Sequence, residues 1–192
     1  MKKITFIAVI LIAVSAIWGS CKKDENNVTP PPPENEFLST VKLVVTNSAD
    51  TTEIHTAKWV QLVAGTTPDT SLATLTLKKN TVYNAKVYFL DETKSPVGDI
   101  TAEVRVRANY HLICFQVFST PGAFNGLNLT VHRTDHDTNT PALELGLTDT
   151  FTTGEVGSGR LEVSLHHQPN IKTGDCSLGS TDADVFFRVT VQ

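Results

Sequence analysis

Arg160-Leu161-Glu162-Val163-Ser164-Leu165-His166-His167 alternates polar and apolar side chains along its length. In extended chain, successive side chains point to opposite faces. Leu161, Val163, Leu165 and His167 therefore share one face, while Arg160, Glu162, Ser164 and His166 share the other. Working outward, the same kind of short run, rich in Val, Thr, Leu and Phe, recurs through the chain. The predicted strands are Leu38 to Thr46, Ile54 to Val63, Leu72 to Leu77, Val82 to Leu90, Tyr110 to Phe118, Leu127 to His132, Leu143 to Thr152, Arg160 to His167 and Asp184 to Val191, with Gly, Pro, Asp and Asn clusters between them. About nine strands at this spacing predict an all-β, antiparallel, immunoglobulin-like sandwich. No long segment carries a 3.6-residue apolar period and helices do not alternate with strands, which excludes a doubly wound α/β fold. Ile100 to Asn109 is expected as strand or turn, because Ala102 to Arg107 alternates; the competing reading is a short helix capped by Asp99.

The first residues have a different character. Lys2-Lys3 supplies a positive start, Ile4 to Ile17 an apolar run, and Trp18-Gly19-Ser20 leads directly to Cys21. This is the layout of a lipoprotein signal peptide over 1–20, cleaved so that an acylated Cys21 becomes the first mature residue. A spanning helix wants about twenty apolar residues, more than this run offers. Residues 21–36 are polar and then carry Pro30-Pro31-Pro32-Pro33, which favours an extended polyproline tether of about 3.1 Å per residue. A single β domain is expected over 37–192.

The chain has 16 Lys+Arg and 20 Asp+Glu; losing Lys2 and Lys3 with the signal leaves 14 against 20, a mature net charge of −6. An acidic domain without a basic stripe argues against nucleic acid, whose phosphates need clustered positive charge. With Cys21 acylated, Cys114 and Cys176 remain in an oxidising compartment. They form either a bridge or, alternatively, a buried thiol on an apolar strand and a free thiol in a loop.

Histidines carry the strongest chemical signal. His111 opens the core-facing row of its strand and His167 closes that of another, so antiparallel neighbours would bring the two imidazoles to one edge of the sandwich. Together with His166, His132 and His136 they are candidate ligands for Zn, Cu or haem, each of which imidazole suits. The bland readings are strand-end histidines bonded to backbone, and a solvated turn at His132 to Asp137. Asp135-x-Asp137-x-Asn139 spaces oxygen ligands like a calcium loop but lacks the Gly turn and distal Glu. No G-x-S-x-G or H-E-x-x-H occurs, and no enzyme is expected. Trp59, Tyr83, Tyr88 and Phe89 read as core.

From about Thr40 onward the chain carries Asn80-Thr81-Val82-Tyr83-Asn84, Phe89-Leu90-Asp91-Glu92-Thr93, Asp99-Ile100-Thr101-Ala102-Glu103, the tract around His111, Phe151-Thr152-Thr153-Gly154, Leu165-His166-His167-Gln168-Pro169 and Thr181 to Phe187. On these stretches it resembles a family of small Bacteroidetes surface lipoproteins, often encoded beside TonB-dependent outer-membrane receptors. Lys23-Asp24-Glu25 is similar to the surface-export signal of such lipoproteins, and Asp50-Thr51-Thr52 to their O-glycosylation motif, with Thr51 as acceptor. The chain departs from the family at Lys58 to Gly65 and Val104 to Arg107, where the family places acidic residues. The resemblance implies an outer-membrane, surface-exposed accessory protein, anchored in the membrane through the lipid on Cys21, that captures a metal ion or metal complex for a TonB-dependent receptor. A structural or adhesive module acting through a sheet edge is the other expectation.

Overall fold

The structure, a computed structural model, describes residues 37–119 and 126–192. The predicted signal peptide, Cys21 and the tether lie outside the described residues. The described residues belong to one compact unit.

Ten strands, one helix and a short 3-10 turn make up the described chain: β1 Thr40–Asn47, β2 Ile54–Val60, β3 Thr74–Leu77, β4 Val82–Asp91, β5 Gly98–Asp99, α1 Ile100–Val106, the 3-10 turn Ala108–Tyr110, β6 His111–Ser119, β7 Leu129–Arg133, β8 Thr148–Thr153, β9 Gly157–His167 and β10 Ser180–Val191. One sheet runs β2-β1-β4-β8-β7, with β5 beside β4; the other runs β3-β10-β9-β6. All pairings are antiparallel except β3 with β10. The expected all-β sandwich is present; an immunoglobulin-like order is a finer statement than two packed sheets.

Alternation explains the packing. Leu161, Val163 and Leu165 of β9 and Val185, Phe187 and Val189 of β10 are at most 2% exposed, and they join Leu43, Phe89 and Phe151 of the facing sheet in one core. Phe115 of β6 meets Phe151 of β8 edge to face across the sandwich, ring centroids 6.1 Å apart. Burying a side chain of this size contributes roughly 1.5–3 kcal/mol, so the two inner rows dominate the fold's stability.

Two expectations are corrected. Ile100 to Val106 is helix, not strand or turn: the Asp99 carboxylate accepts the Ala102 N–H at 3.2 Å, capping it. The Thr101 hydroxyl bonds both backbone groups of Phe89 at 2.9 and 3.1 Å, docking the helix on β4, while Val106 is left exposed. The strand expected from Leu143 begins only at Thr148. Gly146 has φ +96, and a Cβ there would lie 2.9 Å from the Ile113 carbonyl, so the chain turns before joining the ladder.

Cys114 and Cys176 are bridged, with Cα atoms 6.0 Å apart, tying the loop after β9 to the outer face of β6. That loop is why Leu112 and Cys114, on the face away from the core, are nonetheless buried. A bridge closing 62 residues stabilises by about 4 kcal/mol in the chain-entropy model. Cys114→Ser/Cys176→Ser should therefore lose roughly that much in urea unfolding, and wild type under reductant should match it.

Candidate functional site

β6 and β9 are antiparallel neighbours in the register His111↔His167. The two imidazoles stack, with centroids 5.0 Å apart and planes 19° from parallel. His111 is 7% exposed, and its Nδ1 lies 3.0 Å from the Arg107 carbonyl. A carbonyl only accepts, so Nδ1 carries the proton and Nε2 keeps its lone pair in the neutral ring. Burial pushes the His111 pKa down to about 4, against the pull of the Arg107 carbonyl, with His167 adding to the depression. Nε2 of His167 and Nδ1 of His166 are buried without a hydrogen-bond partner, whereas Nε2 of His166 meets the Ser164 hydroxyl at 3.0 Å.

The other candidates lie elsewhere. His132 is exposed on β7 opposite Thr150, and His136 is exposed opposite Glu144. Among the described residues no three His, Cys, Asp or Glu side chains gather into a metal-holding group. The five histidines are thus not one site. Stacked rings direct their in-plane lone pairs side by side, not onto a common point. The calcium-like spacing is spent on structure. Asp135 accepts the Gly146 and Leu147 N–H groups, while Asp137 accepts from Leu143, Asn139 and Lys172. Thr51 is exposed in a turn closed by the Asp50 carboxylate and Thr52.

The end of the sandwich around the histidine pair is rigid. Gln168, fully buried, donates from its backbone to the Tyr110 carbonyl and from Nε2 to the Asp175 and Leu178 carbonyls at 2.7 and 2.9 Å. Lys172 and Asp137 form an ion pair at 2.8 Å with side chains 1% and 0% exposed, and the ammonium also donates to the Ala108 carbonyl. Arg133 crosses from β7 to bond the Ile113 carbonyl at 2.7 Å, Glu144 at 2.7 Å and the Cys176 sulfur at 3.3 Å.

Two acidic features escaped sequence reasoning. Asp149 on β8 is 2% exposed and neither carboxyl oxygen has a partner; burial, reinforced by Asp135, pushes its pKa up to about 8. It shares the inward parity of Phe151 and Thr153 within a run of threonines, which gives no apolar pattern to read. Glu162 and Asp184 adjoin on the outer face of β9 and β10, in a groove of about 330 Å3 that Ser164, His166 and Gln116 also line. Burial, then a hydrogen bond shared with Asp184 and that residue's charge, raises the Glu162 carboxyl.

The fold and this end define an all-β two-sheet domain carrying a rigid polar end. No protein-family model, curated protein or solved structure matches the chain.

Opposite pH slopes follow from the two buried groups. Over about pH 4–8 folded Asp149 holds a proton that the unfolded chain has released, so its contribution to stability falls as pH rises. Over about pH 4–6.5 the unfolded chain takes a proton that folded His111 refuses, so this contribution falls as pH falls. Each slope is about 1.4 kcal/mol per pH unit. In chemical denaturation against pH, Asp149→Asn should be more stable than wild type above about pH 8, with the gain vanishing near pH 4. His111→Gln should lose the acid-side slope.

Proposed function

We propose that this chain is a non-enzymatic binding module of the small Bacteroidetes surface-lipoprotein type, held on the outer leaflet of the outer membrane by acylated Cys21. In this reading it passes a captured metal complex to a TonB-dependent receptor. The observation that carries the proposal is the His111–His167 pair at a rigid end of the sandwich, with the His167 Nε2 buried and unpartnered and His111 neutral at physiological pH. One or two imidazoles suit a complex that brings most of its own donors, such as haem, better than a bare zinc or copper ion that needs three or four protein ligands. A second reading, a protein contact on the β2 side of the sheet, is favoured by exposed apolar side chains at Ile54, which opens β2, and at Leu62, Val63 and Leu72 in the segments that follow it.

Titration of the purified chain with haem, zinc and copper tests the first reading. Wild type should take up one equivalent of haem with a shifted visible band, and His111→Ala/His167→Ala should lose it while remaining folded by circular dichroism, at a lowered melting temperature because two packed rings are removed. Absence of uptake by wild type removes metal-complex capture and leaves the protein contact. For the location, intact cells treated with protease should lose the wild-type chain from their surface, and Cys21→Ala should no longer fractionate with the outer membrane.

A further inference from the structure

A second cavity, of about 610 Å3, opens beside the histidine end between the 3-10 turn and the loops at 139–143 and 170–173. This is within the range of about 300–1,000 Å3 that small-ligand sites occupy. Its walls are neutral. The one ionisable amine lining it, Lys172, is buried and committed to Asp137 and the Ala108 carbonyl. An anion finds no free positive charge there, and a bare cation finds no free carboxylate.

What the cavity does present is amides, hydroxyls and one aromatic ring. The Asn109 Oδ1 accepts from the backbone and hydroxyl of Thr138, both at 3.0 Å, and the Asn139 Nδ2 donates to Asp137 at 2.9 Å. These bonds orient the amides and leave Asn109 Nδ2 as a donor and Asn139 Oδ1 as an acceptor. Neither of these atoms, nor the side chains of Asn170 and Thr173, has a partner among the described residues. Asn170 stands in the left-handed region at φ 62, a backbone conformation that Asn and Gly tolerate best. Tyr110 is 38% exposed, with the Arg107 guanidinium 5.6 Å from its ring centre.

Alternating donors and acceptors with an aromatic surface match a ligand whose groups each donate and accept, and whose carbon skeleton offers an apolar face. We infer that this cavity is a binding site for a neutral polyhydroxylated ligand, a short oligosaccharide, lying against Tyr110 and hydrogen-bonded by Asn109, Asn139, Asn170 and Thr173. The scaffold is in place before the ligand arrives, because the Lys172–Asp137 pair and the Asn109–Thr138 bonds already join its three segments. The site does not depend on the histidine pair or on its ligand.

The test is calorimetric and NMR titration of the purified full chain with maltotriose, cellotriose, laminaritriose, mannotriose and chitotriose to about 10 mM, enough to saturate a Kd of about 1 mM. At least one sugar should bind saturably, with little dependence on salt because the ligand is uncharged. Tyr110→Ala and Asn170→Gly should each weaken it about tenfold, at unchanged melting temperature; glycine keeps the left-handed backbone while removing the amide. His111→Ala/His167→Ala should bind the same sugar as wild type. No saturable binding by any of the five sugars, or binding that survives both cavity variants, overturns the inference whatever the haem titration gives.

Discussion

The register of β9 between its two neighbours is the constraint on which the rest of the molecule depends. Side chains alternate with period two, so a slip of one residue would turn Leu161, Val163 and Leu165 to solvent and bring Glu162 and His166 into the core. Six largely buried apolar residues on β9 and β10 resist that slip. Once it is fixed, the rest follows by geometry. His111 must lie opposite His167, and Cys114 must lie opposite Ser164 on the outer face, where Cys176 meets it. The bridge in turn holds the 168–179 loop over β6. Gly179, at φ 81, lets that loop pass so close to the His167 carbonyl that a Cβ there would lie only 2.3 Å away.

Polar groups are concentrated and buried at the same end, which is unusual for a core and costly unless each finds a partner. Arg133, Lys172, Asp137 and the Gln168 amide nitrogen do find them, and each bond ties one loop to another. Unpartnered atoms sit among these satisfied groups: both Asp149 oxygens, the His167 Nε2, the His166 Nδ1 and the Gln168 Oε1. An orphaned buried polar group costs roughly 1–3 kcal/mol. A fold that carries several of them, mostly toward one end, concentrates its local inconsistencies there.

The sheets were largely legible because alternation is a local signal. Leu161, Val163, Leu165 and His167 could be assigned to one face from eight residues, and His111 to the start of a core-facing row. Ile100 to Val106 misled because a spacing of two between Val104 and Val106 resembles a strand; the capping carboxylate of Asp99 was the truer signal. Long-range polar pairings carry no such mark. Nothing near Lys172 points to Asp137, thirty-five residues earlier. Nothing around Asp149 distinguishes an inward carboxylate among threonines from an outward one. The separation of His132 and His136 from the His111–His167 pair was not legible for the same reason, since residue type is visible in sequence and convergence is not.

The β6–β9 register is tested most directly by ring-to-ring nuclear Overhauser contacts in the purified chain with isotopically labelled histidine. Contacts between the His111 and His167 imidazoles, whose centroids lie 5.0 Å apart, are the expected result. Contacts from His111 to His166 instead, or none between histidine rings, would mean a slipped or unpaired β9 and would contradict the account of the fold and of both candidate sites.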